Sequence, residues 1–193
     1  MIEETLKNLG PLRTLVGTWE GEKGEDVAPA DERPGTAVSK FRERMTFEPI
    51  RPVDNHEQWL YGLRYSTVAH RLGEENPFHE EVGYWLWDPA EKQVLRCFSI
   101  PRGMTVTAGG TVEPEAKSFL ITADVGSAIY GISSNRFLDR EFKTIRFEMK
   151  VNILGADTFS YEEDTQLQVK GQPVLFHHTD KNTLSRVASR TGL

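Results

Sequence analysis

Alternation of apolar and polar residues along short segments is the feature that most constrains how this chain can fold. In residues 142–153 the apolar side chains Ile145, Phe147 and Met149 alternate strictly with polar neighbours. Residues 41–47 and 78–87 repeat the pattern, with turn-forming residues such as Asp88-Pro89 between the segments. Successive side chains of a strand point to opposite faces, so this period of two predicts half-buried β-strands.

The number and spacing of these segments predict an all-β fold. About ten short strands follow one another through tight turns, without helices long enough to connect parallel strands. Closing such a sheet removes its exposed edges, and an antiparallel up-and-down β-barrel of about ten strands is the simplest closure. A β-sandwich is the alternative. Since 193 residues suit one domain, we expect residues 1–193 to form a single β-barrel domain.

Two segments depart from the strand pattern. Residues 2–15 carry leucines at a three-residue spacing, which predicts a short N-terminal helix, broken near Gly10-Pro11, whose apolar side covers one end of the barrel. Residues 25–38 are rich in Pro, Gly, Asp and Glu and are predicted to form a long loop. Long loops often lie at a functional opening.

Composition and charge narrow the functional class. The formal net charge is −6 without a basic block, which argues against a nucleic-acid partner and weakly against an anionic membrane. No apolar run approaches the roughly eighteen residues of a spanning helix, and Met1 begins a polar segment rather than a secretory signal. The single Cys97 excludes an internal disulfide and fits a reducing compartment. We therefore expect a soluble cytoplasmic protein.

Common catalytic motifs are missing from the sequence. It contains no Gly-x-Ser-x-Gly, no phosphate-binding Gly-rich loop, no Cys-x-x-Cys and no His-Glu-x-x-His. The carboxylate pairs Glu80-Glu81 and Glu162-Glu163 are predicted to be solvated surface charges. Glu43 falls on the apolar side of its strand, a misfit that the pattern does not explain.

The last predicted strand carries two adjacent histidines. Because of the strand period, one of His177 and His178 faces the barrel interior, and either could be that one. A neutral imidazole inside an apolar barrel is either hydrogen-bonded to a neighbour or a ligand of iron. Zinc requires more ligands close together than the sequence brings here.

A tryptophan between glycines opens the first predicted strand, in Gly17-Thr18-Trp19-Glu20-Gly21. Glycine allows a second backbone or a flat ligand to approach closely, and it allows a strand to bend at a barrel corner. Trp19 is a large apolar side chain whose N–H needs a partner when it is buried. We expect Trp19 to close one end of the barrel, whether or not it also contacts a ligand.

These residues resemble a known family. A Gly-x-Trp opening plus a basic residue on the last strand looks like lipocalins and fatty-acid-binding proteins, with Arg186 packing over Trp19. More closely, the chain resembles the nitrobindin-like haem-binding β-barrel family. The resemblance lies in Gly17-x-Trp19-x-Gly21-x-x-Gly24, in the His-x-Glu-x-Gly-Tyr-Trp type of strand at residues 79–85, and in a histidine followed by Leu and Arg near the C-terminus.

The resemblance implies a cofactor and a chemistry. It implies b-type haem with His178 as the axial iron ligand, His177 as the second choice, and Thr18, Trp19 and Gly21 among the cofactor-binding residues. It also implies NO binding at an open axial position and isomerisation of peroxynitrite to nitrate by ferric haem. Whether the protein is an enzyme stays open, and a homodimer is possible.

Two further hypotheses compete with haem binding. The barrel could be a metal-free, lipocalin-like carrier of a fatty acid or another small apolar ligand, with Arg64, Arg96 or Tyr61 meeting the carboxylate. Alternatively, its own side chains could fill it, so that it acts through its surface; these are Phe41, Phe47, Trp59 and Phe147.

Overall fold

The computed structural model describes residues 2–187; Met1 and residues 188–193 lie outside this range. Two short helical segments come first, α1 (Ile2–Asn8) and a 3-10 helix (Gly10–Leu15), and a second α-helix, α2 (Arg136–Glu141), lies late in the chain. The strands are β1 (Gly17–Pro29), β2 (Thr36–Pro49), β3 (Val53–Asn55), β4 (Gln58–Arg71), β5 (His79–Asp88), β6 (Gln93–Ile100), β7 (Met104–Thr111), β8 (Ser118–Val125), β9 (Gly131–Ser134), β10 (Phe142–Ile153), β11 (Thr158–Val169) and β12 (Phe176–Arg186).

The strands close into a barrel. Their order is β2-β1-β12-β11-β10-β8-β9-β7-β6-β5-β4, and β2 pairs with β4 to complete the ring of eleven strands. Pairing is antiparallel except between β8 and β9, while β3 pairs only with the start of β4. The predicted antiparallel barrel of about ten strands is therefore confirmed. None of the helices within residues 2–187 has the length and apolar character needed to cross a membrane.

The N-terminal helices cover one end of this barrel. Leu9, Leu12 and Leu15 are essentially inaccessible to solvent. Gly10 adopts a positive φ of 53°, and a Cβ at this position would lie 2.7 Å from the indole of Trp87, so only glycine permits this close approach. The predicted helix, its break near Gly10-Pro11 and its role as a lid are confirmed. We call this end of the barrel the closed end.

The predicted long loop at residues 25–38 is wrong. β1 runs to Pro29 and β2 begins at Thr36, so only a turn at residues 30–35 separates the two strands. Glu25 on β1 forms ion pairs with Lys40 on β2 and with Lys181 on β12. Charged side chains therefore pair across these strands at positions where the prediction looked for alternating apolar residues. Turn-forming composition misled the prediction because this hairpin extends beyond the apolar core.

Residues 124–139 contain the end of β8, the short strand β9 and the start of α2. The side chain of Asn135 caps α2 by accepting hydrogen bonds from the backbone N–H groups of Phe137 (2.9 Å) and Leu138 (3.0 Å). This helix lies at the open end of the barrel, opposite to the closed end.

The core is layered along the barrel axis. The closed end is packed with aromatic side chains, including Trp19 against Phe159 with ring centres 4.9 Å apart. Phe41, Phe47 and Phe147 are buried as predicted, but Trp59 is 43% exposed. Trp59 faces solvent because this part of β4 pairs with β3, outside the closed ring. Polar side chains form the middle layer, and a cavity occupies the open end.

Candidate ligand-binding cavity

A cavity of about 690 Å³ opens at the end of the barrel opposite to Trp19. Its mouth is formed by the β1–β2 turn, the β6–β7 turn and the residues around α2. The volume lies within the range of small-molecule sites. Much of the wall is apolar: Phe41, Met45, Phe98, Met104, Phe147 and Met149.

The register of β12 separates the two candidate histidines. His178 lines the cavity, and its Nε2 lies 2.9 Å from Oδ1 of Asp26. His177 points away from the cavity, where its Nδ1 lies 2.7 Å from Oδ2 of Asp164 and its side chain is 57% exposed. Alternation therefore makes His178 the cavity-facing imidazole, while its role as an iron ligand stays a prediction.

Asp26 is the partner of His178 and was not identified from the sequence. It lies on β1, is 5% exposed, and its second oxygen accepts a hydrogen bond from the hydroxyl of Ser39 at 3.3 Å. A carboxylate only accepts, so Nε2 of His178 carries the proton in this pair. The residue was missed because residues 25–38 were predicted to be a loop.

Glu43 is buried in the polar layer below the cavity. Its carboxyl oxygens accept hydrogen bonds from the Thr67 hydroxyl (2.9 Å), the Tyr161 hydroxyl (3.0 Å) and the Asn182 amide (3.2 Å). Burial raises its pKa to about 7, although these three donors act in the opposite direction. The misfit on the apolar face of β2 was thus the sequence signal of a buried, hydrogen-bonded carboxyl group.

Arg96 is the buried cation of this layer, at 2% exposure. Every guanidinium nitrogen has a partner: Nε donates to the Tyr65 hydroxyl (3.2 Å), one terminal nitrogen donates to Glu163 (3.0 Å), and the other donates to Glu81. The Tyr65 hydroxyl in turn donates to Glu81 at 2.6 Å. Burial opposes the charge of Glu81, but the charge of Arg96 together with the contacts of His79 and Tyr65 outweighs burial and lowers the pKa of Glu81 to about 2.

The predicted surface location of both carboxylate pairs is wrong for one member of each pair. Glu80 and Glu162 are exposed, whereas Glu81 and Glu163 face the interior. Adjacent strand residues point to opposite faces, and Arg96 neutralises the inward members. Glu81 lies an even number of residues from the buried Trp85, and Glu163 from the buried Tyr161, so the strand period could have predicted that both face the interior.

The polar layer carries an excess of acid. Asp180 and Glu163 also line the cavity, and burial raises the pKa of both carboxyl groups. For Asp180 the charges of Glu163 and Glu43 add to this rise. His79 faces the cavity as well. Burial disfavours the charged form of His79, but the hydrogen bond and charge of Glu81, with the charges of Glu163 and Glu43, raise the pKa of His79. We call Glu43, Glu81, Glu163 and Asp180 the acidic floor.

None of the signature residues lines the cavity: Thr18 and Trp19 lie at the closed end, and Gly21 lies beside Glu43 at the level of the polar layer. The indole nitrogen of Trp19 donates to the Leu15 carbonyl at 2.7 Å, which satisfies its buried N–H. A Cβ on Gly21 would lie 2.7 Å from the Thr183 carbonyl oxygen. This geometry assigns them to barrel closure, and a contact with cofactor stays a prediction for them.

A second depression, of about 800 Å³, lies on the outer face of β4 to β7. It contains Arg64, which pairs with Glu48 at 2.7 Å, and the half-buried Cys97, whose pKa is raised by burial. Within the described range, no group of three or more His, Cys, Asp or Glu side chains is arranged to hold a metal ion. Axial ligation of haem requires only one imidazole from the protein, which the inner cavity presents.

Comparison with known proteins agrees with this architecture. The crystal structure of Rv2717c from M. tuberculosis superimposes with a TM-score of 0.65 at 22% identity, covering 95% of this chain and 97% of that one. At this identity the likeness shows the fold. A family model described as "THAP4-like, heme-binding beta-barrel domain" matches residues 8–186. The chain therefore belongs to the family of THAP4-like, heme-binding β-barrel domains.

Proposed function

We propose that the cavity binds b-type haem with His178 as the axial ligand. The observation that carries this proposal is the position of His178, whose imidazole faces the cavity from the last strand while His177 faces outward. Membership in a heme-binding family supports haem in general. The choice of ligand and of haem type comes from the resemblance of the C-terminal segment to the nitrobindin-like proteins.

The residues of the cavity fit such a group. The wall offers aromatic and thioether side chains to a flat apolar molecule, among them Phe98, Met104 and Phe147. Asp26 accepts a hydrogen bond from Nε2 of His178, and this bond has to open before iron can bind at that nitrogen. When bound, haem would supply an open axial position, which NO binding and ferric isomerisation of peroxynitrite to nitrate require.

The protein's own contribution is shape, exclusion of water and proton placement. The closed end is sealed by packed aromatic side chains, so that within residues 2–187 the cavity is open to solvent at its mouth and not at that end. Glu43 and Thr67 form a hydrogen-bonded pair at 2.9 Å in the floor, and the pKa of Glu43 near 7 lets this carboxyl group hold or release a proton at neutral pH.

The fatty-acid hypothesis has less support. Arg96 is the predicted carboxylate partner that lies inside, but its three nitrogens are already bonded, and two carboxylates neutralise it. Arg64 faces outward and pairs with Glu48, and Tyr61 does not line the cavity. A fatty-acid carboxylate at the floor would have to displace Glu81 or Glu163 and would meet the remaining acid.

The two histidines provide a matched pair of variants. Ferric haem is added to purified His178→Ala and His177→Ala proteins, and the Soret band and the rate of haem transfer to an apo-globin are measured. We expect His178→Ala to lose the ligated spectrum and to release haem faster, and His177→Ala to behave as wild type. Loss in His177→Ala alone would contradict the assigned ligand, and no effect in either variant would contradict ligation by the two histidines of β12 and leave His79, which also lines the cavity, as the histidine to test. Nitrate yield from peroxynitrite then tests the reaction.

A further inference from the structure

The mouth of the cavity is lined by cationic side chains, whereas its floor is lined mainly by carboxyl groups. Arg33, in the β1–β2 turn, and Arg102, in the β6–β7 turn, both lie over the ring of Phe142, with guanidinium carbons 4.3 Å and 5.6 Å from its centre. All three residues line the cavity. Phe142 thus brings the guanidinium groups of two different turns together on one side of the cavity mouth.

The cations at this point exceed the nearby carboxylates. Glu141 accepts hydrogen bonds from Arg140 (2.9 Å), Lys170 (3.0 Å) and Arg33 (3.2 Å), so three cations share one carboxylate. The bond from Arg140, followed by those from Lys170 and Arg33, lowers the pKa of Glu141 to about 2. In the described part of the chain, Arg102 has no carboxylate partner.

The floor of the cavity disfavours a carboxylate group of a ligand. Glu43, Glu81, Glu163 and Asp180 surround it, and Arg96 has no nitrogen without a partner. A ligand carboxylate at this depth would lose its hydration and find no cation among the described residues free to pair with it, which is costly in a buried site. At the mouth the same carboxylate would keep part of its water and meet Arg33 and Arg102.

We propose that Arg33 and Arg102, held on Phe142, form a carboxylate-recognition subsite at the cavity mouth. This subsite orients a flat apolar ligand with its acidic edge outward and its apolar body against the inner wall. The inference rests on the proposed ligand-binding function of the cavity and specifies the ligand class, a planar molecule with carboxylates on one edge. It does not depend on iron or on His178.

Two acidic side chains also reach the cavity lining, Asp31 beside Arg33 and Glu80 at the start of β5. Within residues 2–187 neither forms a hydrogen bond or an ion pair with Arg102, and Arg71, which stacks on Phe78 at 4.7 Å, is a further cation of the cavity lining. The Phe142 corner therefore keeps its excess of positive charge, and the acidic edge of the ligand is assigned to that corner.

The test compares metal-free protoporphyrin IX with its dimethyl ester, which has the same ring without charged carboxylates. Binding is measured by porphyrin fluorescence in the wild type, in Arg33→Ala/Arg102→Ala and in Arg64→Ala, an arginine on the outer face that serves as control. We expect the wild type and Arg64→Ala to prefer the diacid by about tenfold, in keeping with two partly exposed ion pairs. The double variant should bind both porphyrins alike, with its affinity for the ester unchanged.

Each outcome decides a different claim. A preference that survives in the double variant, or a wild type that binds the ester as tightly as the diacid, would overturn the carboxylate subsite while leaving porphyrin binding intact. If the wild type binds neither porphyrin, the subsite is wrong, and the titration with ferric haem then decides separately whether the cavity binds haem through iron. Equal weakening of both porphyrins in the double variant would show a structural role for the arginines and would also overturn the subsite.

Discussion

The guanidinium carbon of Arg186 lies 4.1 Å from the ring centre of Trp19, so the last strand closes over the first at the end of the barrel. The same guanidinium donates hydrogen bonds to the backbone carbonyls of Thr14 and Ala156, at 2.8 Å each, and to that of Val16. One side chain thereby joins the 3-10 helix, the first strand and the β10–β11 turn. The cation–π pair predicted from the sequence is confirmed.

Removing the buried indole should therefore cost stability whatever the ligand is. Trp19 is fully buried, and we expect Trp19→Ala to lower the free energy of unfolding by about 3–5 kcal/mol. Denaturant unfolding measures the difference. Arg64→Ala, on the exposed outer face, is the control and should change stability by no more than about 0.5 kcal/mol. An unchanged unfolding curve for Trp19→Ala would refute its role in closing the barrel.

The buried pair of Arg96 and Glu81 gives a second prediction. Both side chains are 3% exposed, and removing the cation alone leaves Glu81 charged and uncompensated. We expect Arg96→Met to lower the free energy of unfolding by about 3–5 kcal/mol at neutral pH. The double variant Arg96→Met/Glu81→Gln should recover part of this loss. If the losses of unfolding free energy in Arg96→Met and in Glu81→Gln alone simply add in the double variant, the two side chains are not coupled.

The raised pKa of Glu43 predicts a pH dependence of stability. The folded-state pKa is about 7 against 4.5 in the unfolded chain, so the folded protein binds more protons between these values. Protonated Glu43 is well accommodated below pH 4.5, and stability from this group falls as pH rises through 7, by about 3 kcal/mol in total.

Glu43→Gln should remove that slope. The measurement is the difference in unfolding free energy between wild type and variant at pH values from 4.5 to 8. We expect the unfolding free energy of the wild type to fall relative to that of the variant as pH rises from about 4.5 to 7, and the difference to level off above pH 7. A difference that is independent of pH would mean that Glu43 does not titrate there, and a difference of opposite sign would mean that its folded-state pKa is lowered.

Asp26 should influence how readily His178 accepts a ligand. Its carboxylate engages Nε2 of His178 at 2.9 Å, so a ligand bound at this nitrogen has to displace Asp26. We expect Asp26→Asn to strengthen haem binding by about tenfold, since a hydrogen bond to a charged group no longer competes. Ser39→Ala, which removes only the 3.3 Å bond to the other oxygen of Asp26, is the matched control. Weaker haem binding in Asp26→Asn would show that the carboxylate supports the ligated imidazole instead.

The architecture was predictable because strand alternation, turn residues and the Gly-x-Trp opening all indicate the same closed antiparallel barrel. The same alternation left one choice open on β12, since period two states that one of His177 and His178 faces inward without saying which. The structure decides this through the pairing of β12 with β1 and β11. Register across strands depends on long-range contacts that a local pattern does not contain.

The polar layer was less accessible from the sequence. Glu81 and Glu163 belong to adjacent acidic pairs, which usually mark a solvated surface, and only their cross-barrel contacts with Arg96 explain their burial. Glu43 was visible as a misfit, but its partners Thr67, Tyr161 and Asn182 come from three other strands. Asp26 was hidden because composition predicted a loop where paired strands extend beyond the core.

The central claim, that the inner cavity binds haem, is tested most directly by an absorption titration of the purified wild-type protein with ferric haem. We expect a Soret shift that saturates at one haem per chain, because the inner cavity of residues 2–187 offers one site for it. A shift that grows without saturation, or the spectrum of free haem throughout, would contradict haem binding in this cavity and would leave a family member whose barrel serves another ligand.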